Sequence, residues 1–329
     1  MSDKKKFPKD KKYRAVIIGA GKIASQFDNL KSKKVLTHAH AYYLNSRIKL
    51  MGICDVDFSK ASLAAREWST VPYKNLDEMF QNIKPEIVSV CVPDDQHFPV
   101  LKKILKYKPK LVICEKPVTA KIADTEIIMK LYEENKIPVL VNYSRRFDST
   151  VQKFKKELSE EKYGKIISAS GIYSKGVLHN GSHLIDLALF LFGKVKIARS
   201  LSVVDDYTSR DKTVAGFLQF ENCSQFHLLA ADQRNFFIFE LDIFCEKARF
   251  KFVNEGFSLI TQIVIPDPVF VGYKILSAPK QQETQLSSAM SAIVKNAVEF
   301  LDKKSPLLST AQNALEAQKI CNNLLKKYV

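Results

Sequence analysis

The sequence predicts a doubly wound parallel α/β domain followed by an α+β domain built on a large, mostly antiparallel sheet. Three observations carry this. Four short runs of β-branched and apolar residues occur in the first half, with helical stretches between them. These runs show no polar alternation, as expected for strands covered on both faces. After residue 150 the pattern changes to one strand after another, which separates a second domain from the first.

The elements follow in order. Arg14–Ile18 is the first apolar run and leads into Gly19-Ala20-Gly21-Lys22-Ile23-Ala24. Ile48–Cys54 is the second and ends at Asp55. Ser59 is the expected cap of a helix running to Trp68, with Leu63, Ala64 and Trp68 on its apolar side. Ile87–Val92 is the third run, and Pro93 follows it. A helix is expected over His97–Lys106, and Lys110–Cys114 is the fourth run. Thr119 begins a helix to about Asn135, and Ile137–Asn142 reads as a further strand. Seven strands then follow between Lys165 and Ile265, interrupted by one helix at 182–192. Two late helices, near 286–302 and 310–327, close the chain. The domains are therefore placed at 13–142 and 143–329. Residues 1–12 form a basic tail, and the last helix is free to pack back on the first domain.

Bulk properties narrow the functional classes. The chain has 329 residues, 46% hydrophobic and 26% charged, the balance of a globular protein with room for two domains. It contains no apolar run long enough for a membrane span. The lysine-rich start has no apolar core segment, so it does not read as a secretory signal. The net charge is +16, but the lysines are scattered and no nucleic-acid motif accompanies them. Nucleic acid and membrane are therefore not expected partners. The six cysteines form no Cys-x-x-Cys pair and read as small buried hydrophobes in a reducing cytoplasm. No ligand cluster suggests a metal.

The chemistry lies at the ends of the strands. Gly19-x-Gly21-x-x-Ala24 has the spacing of a pyrophosphate-binding turn: one glycine for the turn, one for close approach, one small residue for packing. Gly19, Gly21, Lys22 and Ile23 are the candidate phosphate contacts, helped by free N–H groups at a helix start. Asp55 stands where an acid would take the adenosine ribose hydroxyls and repel a 2′-phosphate, which favours NAD over NADP; it could equally serve as a turn or cap residue. Gly21 and Asp55 are farther apart than usual, and Asp28–Val35 reads as a loop insertion. His38 is a candidate for the pocket border, and His40 for packing or capping. Pro93 and His97 would flank the nicotinamide ribose, although His97 could also be structural. Glu115 and Lys116, stiffened by Pro117, close the fourth strand. A charged pair there is a poor packing choice and makes sense beside a cofactor.

Gly-x-Gly-x-x-Ala, the acid after the second strand, Val-Pro-x-x-x-His, Cys114-Glu115-Lys116-Pro117, Asn142-Tyr143-Ser144-Arg145-Arg146-Phe147 and Gly181-Ser182-His183-Leu184-Ile185-Asp186 occur in that order. Together they resemble the glucose–fructose oxidoreductase/inositol dehydrogenase/MocA family, from residue 13 over nearly the whole chain. The resemblance implies a Rossmann domain, a nicotinamide cofactor, a sugar or polyol substrate, and homodimers or homotetramers formed through the C-terminal sheet. It also implies that Lys116 and His183 do the acid–base work, with a cis bond before Pro117. Which of the two is the immediate base stays open. Several relatives carry an aspartate four residues before this histidine. Here that residue is His179, which argues against inositol. Tyr173, Lys175, His179 and Asn180 are candidate substrate contacts. Arg146 is another, or else belongs to an ion pair or the domain junction. The reading is an NAD-dependent oxidoreductase of a sugar or nucleotide-sugar. Two alternatives are carried: a reductase of another carbonyl or double bond, as in biliverdin- and dihydrodiol-type relatives, and a dinucleotide-binding regulator without turnover.

Overall fold

The computed structural model describes residues 12–326, so the expected tail lies outside the described residues except for Lys12. The chain divides into two compact units. The first gathers the chain up to Phe147 with Ser287–Leu315. The second contains Asp148–Leu286 and the residues from Glu316 on.

The first unit is a six-stranded parallel sheet. Its strands are β1 (Tyr13–Ile18), β2 (Ile48–Cys54), β3 (Val71–Tyr73), β4 (Ile87–Val90), β5 (Leu111–Cys114) and β6 (Val139–Val141). They lie in the order β3-β2-β1-β4-β5-β6, so the order reverses beside β1. β4, β5 and β6 are buried along their whole length, which is why their sequences show no alternation. Helices α1 (His38–Leu44), α2 (Phe58–Glu67), α3 (Leu76–Ile83), α4 (His97–Ile104) and α5 (Ile122–Glu134) connect them. β3 is a short edge strand whose Val71 is exposed, so apolar content alone does not mark it.

Two helix starts differ from expectation. Asp57, not Ser59, caps α2: its carboxylate accepts from the amides of Ser59 and Lys60. Leu63 is exposed, and the buried side is Ala61, Ala64 and Ala65. α5 begins at Ile122 rather than Thr119, whose hydroxyl instead donates to the Lys121 carbonyl at 2.8 Å.

The second unit opens with α6 (Ser149–Ser159), capped by Asp148, which the sequence reading missed. Its strands are β7 (Ile166–Tyr173), β8 (Val195–Thr208), β9 (Asp211–Phe220), β10 (Phe226–Ala230), β11 (Phe239–Cys245), β12 (Ala248–Val253), β13 (Ser258–Pro266), β14 (Lys274–Leu276) and β15 (Lys280–Glu283). They run β14-β13-β12-β11-β7-β10-β9-β8, with β15 added to β13, and all pairs are antiparallel except β7 with β10. Helix α7 (Ser182–Phe192) covers one face. It packs so closely that a Cβ at Gly171 would sit 2.6 Å from Leu184. Phe192, Phe220 and Phe226 form an aromatic cluster with centroids 5.4–6.1 Å apart. Along β11, buried residues alternate with half-buried ones, so the opposite face is the wetter one.

Helix α8 (Ala289–Leu301) and the residues after it return to the first unit. The Val141 amide donates to the Ser309 carbonyl, and Tyr13 donates to Asp302 at 2.9 Å. Helix α9 (Ala311–Lys326) ends the described chain. No helix among the described residues is long and apolar enough to cross a membrane.

Candidate functional site

The carboxyl ends of β1, β2, β4, β5 and β6 form a row. Backbone bonds run on past each strand: Gly19 N to Cys54 O, Cys91 N to Ile18 O, Glu115 N to Val90 O and Asn142 N to Cys114 O. Gly19, Asp55, Cys91, Glu115 and Asn142 therefore stand side by side, where an open α/β sheet places its ligands.

Gly19 is at φ +97°, and a Cβ there would lie 2.5 Å from the Cys91 carbonyl oxygen. Only glycine permits both. Gly21 is different: nothing lies within 4 Å of a Cβ placed on it, so its backbone borders open space. A single π-turn, Lys22–Gln26, follows, with Lys22 exposed and Ile23 half-buried. The chain then loops through 27–36 before α1, as the long interval to Asp55 suggests. Asp55 Oδ2 accepts from the Ala20 amide at 2.7 Å and Oδ1 from the Asp57 amide at 2.9 Å. The acid thus ties the second strand to the glycine turn. This cradle fits a dinucleotide: an open backbone edge for a pyrophosphate and an anchored carboxylate beside it.

Lys116 and Glu115 follow β5, and the Lys116–Pro117 bond is cis. Glu115 is largely buried. Its Oε1 accepts from His38 Nε2 at 2.8 Å and Asn142 Nδ2 at 2.6 Å. Burial pushes the Glu115 carboxyl up, but the hydrogen bonds from His38 and Asn142 and the neighbouring Lys116 charge outweigh it and leave it below the usual carboxylate range. Asn142 Oδ1 is buried, and no described residue hydrogen-bonds to it.

Pro93 is exposed before a turn at Asp94–Gln96. His97, read either as flanking the ribose or as structural, is fully buried. Its ring nitrogens lie 2.7 Å from the Pro117 carbonyl and 3.0 Å from the Val92 carbonyl, so it ties the two strand ends together. His40 is a packing residue: Nδ1 lies 3.0 Å from Asp28 Oδ2 and the ring faces Trp68. His38 is buried as well, and its bond to Glu115 makes it part of the site's support. Arg146 is buried in the short helical turn Ser144–Phe147 of the first unit.

In the second unit the candidates cluster on the loop from β7 to α7. Lys175 and Gly176 both have positive φ, +73° and +75°. Two aspartates hold this loop. Asp206 Oδ2 accepts from the Lys175 amide at 2.8 Å, and Asp211 accepts from the amides of Leu178 and His179, each at 2.8 Å. A Cβ on Gly176 would strike the Asp211 carboxylate. The loop brings Lys175 and His179 to one ring: the Lys175 amine is 5.6 Å from the Tyr207 centroid, and the His179 ring is 5.0 Å from it. His183, partly exposed, lies in the first turn of α7.

Two expected substrate contacts are engaged elsewhere. Tyr173 is fully buried, and its hydroxyl donates to the Val214 carbonyl and accepts from the Val214 amide. Asn180 is buried and donates to the Ser174 carbonyl at 2.8 Å, fastening the loop. The sequence reading quoted Asn142 only within a motif, without a role, and missed Ser89, Tyr42 and Tyr207. Ser89 left a signal, as the one polar residue in Ile87-Val88-Ser89-Val90. Among the described residues, no group of three or more His, Cys, Asp or Glu side chains could hold a metal ion.

Residues 13–143 match a family described as "Oxidoreductase family, NAD-binding Rossmann fold". An uncharacterized oxidoreductase of Schizosaccharomyces pombe is 28% identical over 140 residues, 37% of this chain and 38% of the relative. Inositol 2-dehydrogenase of Rhizobium meliloti is 21% identical over 210 residues, 58% of each. The matched stretches thus span less than two thirds of these relatives. The structure of the WlbA dehydrogenase from Bordetella pertussis, in complex with NADH and UDP-GlcNAcA, superposes with a TM-score of 0.75 at 14% identity, covering 97% of this chain and 98% of that one. At that identity the likeness is one of fold.

Proposed function

We propose that this chain is an NAD-dependent dehydrogenase of a sugar or nucleotide-sugar, because residues 13–143 match an oxidoreductase family with an NAD-binding Rossmann fold. One observation carries the reading: the carboxylate of Asp55 is anchored to a glycine turn whose second glycine borders open space. The substrate class is drawn from relatives and fold neighbours such as inositol 2-dehydrogenase and the WlbA dehydrogenase.

Gly19, Gly21, Lys22 and Ile23 would hold the pyrophosphate and Asp55 the adenosine ribose. Bound NAD+ would supply the hydride acceptor. Alcohol oxidation also releases a proton, and Lys116 with His183 would take it. A free lysine, with a pKa of about 10.4, is a poor base at neutral pH. A cationic nicotinamide ring nearby would disfavour its charged form. Lys175, His179 and the Tyr207 ring would bind substrate, the aromatic face against the apolar C–H face of a sugar and the Lys175 amine toward an anionic group such as phosphate. Among the earlier candidates, Arg146 remains proposed as a further anchor. The half-exposed outer face of the C-terminal sheet supports a homo-oligomer, which light scattering after gel filtration would test.

NAD+ reduction followed at 340 nm, against a panel of sugars and nucleotide-sugars, tests the activity. NADH binding with no turnover across the panel would favour the regulator.

A further inference from the structure

A chain of polar side chains crosses the apolar interior of the first unit and stops one residue before Lys116. The Tyr42 and Ser89 hydroxyl oxygens are 2.6 Å apart, and Ser89 Oγ is 2.9 Å from His38 Nδ1. His38 Nε2 is 2.8 Å from Glu115 Oε1. Tyr42, Ser89 and His38 are all fully buried. A carboxylate only accepts, so His38 Nε2 carries a proton, and with one proton on the ring Nδ1 is an acceptor. Ser89 then donates to Nδ1, and its oxygen accepts from Tyr42. Burial pushes the Tyr42 phenol well above its ordinary value, so it keeps the proton it donates. Every group is satisfied in a single direction, and each hydrogen bond strengthens the next toward Glu115. Packing alone does not call for such a chain. Position 89 lies in a wholly buried strand, where valine would avoid the desolvation cost of a hydroxyl.

We propose that His38, backed by Ser89 and Tyr42, is a positioning residue that fixes the Glu115 carboxylate at the end of β5, one residue before Lys116, and thereby strengthens the lysine amine's hold on its proton until cofactor binds. The proposal rests on the acid–base role assigned to Lys116. Attraction between the two is mutual: the Lys116 charge favours the ionised carboxyl, and the carboxylate favours the ammonium. Cationic nicotinamide would act in the opposite sense. The lysine would then release its proton when the cofactor arrives rather than in the free protein.

The test is competitive acetylation of Lys116 across pH in the full-length, cofactor-free protein, read by mass spectrometry. In Glu115→Gln and His38→Leu the labelling midpoint should fall by at least about one pH unit. In His38→Gln, whose amide can still donate to the carboxylate, more than half of that shift should be recovered. An unchanged midpoint in Glu115→Gln overturns the proposal, as does a midpoint that falls there but stays at the wild-type value in His38→Leu. Should His38→Leu fail to fold, Ser89→Ala removes a single hydroxyl one step back. A lowered midpoint supports the proposal, and a wild-type midpoint sinks it. NADH titration reads the cofactor assignment separately. Wild-type protein that labels as expected yet binds no NADH would refute the dinucleotide reading and leave this inference standing.

Discussion

The Asp55 carboxylate reaches from the end of the second strand to the Ala20 amide, 2.7 Å away, inside the glycine turn. Its second oxygen is held by the Asp57 amide, so the group cannot swing aside to admit a phosphate. Asp55→Ala should weaken NAD binding and raise the NADP-to-NAD ratio of kcat/KM by at least about tenfold, equivalent to about 1.4 kcal/mol. An unchanged ratio would mean that the ribose lies elsewhere.

The two glycines of that turn should behave differently. Gly19→Ala combines a positive φ with a backbone collision, so it should cost about 1–3 kcal/mol of stability and lower the melting temperature. Gly21→Ala meets nothing, so the melting curve should hold while NADH affinity drops. Equal effects of the two substitutions on stability would contradict the geometry.

Lys116→Ala should reduce turnover at least about a hundredfold, the usual scale for a lost acid–base group, with NADH still bound. His183→Ala should do the same if the two share the proton. Near-normal turnover in either variant removes that residue from the chemistry.

Glu115 sets an acid-stability signature. Its carboxyl lies below the ordinary range in the folded chain and near about 4.3 when unfolded. The ionised group therefore contributes stability above that value and loses it as pH falls through the lower folded one. The melting-temperature gap between wild type and Glu115→Gln should be widest near neutrality and close below about pH 4.3. A gap constant from pH 7 to 3 would show that Glu115 is not held ionised.

All six cysteines are free and buried. Burial pushes Cys54, Cys223 and Cys245 up to about 11, and Cys91 and Cys114 well above their ordinary value. Native protein at pH 7.5 should react with Ellman's reagent at fewer than about one thiol per chain, because the thiolate is the reactive form. Denatured protein should release all six. Rapid labelling of the native fold would show that a cysteine is exposed.

Much of the architecture was legible because a covered parallel strand needs a mostly apolar run, and β1, β2, β4 and β5 each have one, broken at most by a single polar residue. α6 was not, because only Val151 and Phe154 are buried in it and polar residues make up most of the rest. The glycine turn and the Glu115-Lys116-Pro117 terminus could be found because each is local. The polar chain behind Glu115 could not, because its links span 47 to 77 residues and appear only when α1, β4 and β5 are side by side. Tyr173 misled for a related reason. Its position beside the loop was sound, but its hydroxyl is committed to Val214 across the sheet.

The first unit is written in two instalments. Its sixth strand leans on Ser309, and Tyr13 at its start is tied to Asp302. A ribosome making this chain N-terminus first must complete the whole intervening sheet before those last pieces emerge. A gene cut after the sixth strand would therefore express a lobe with an unsealed flank, and a premature stop late in the message would harm the end that was translated first.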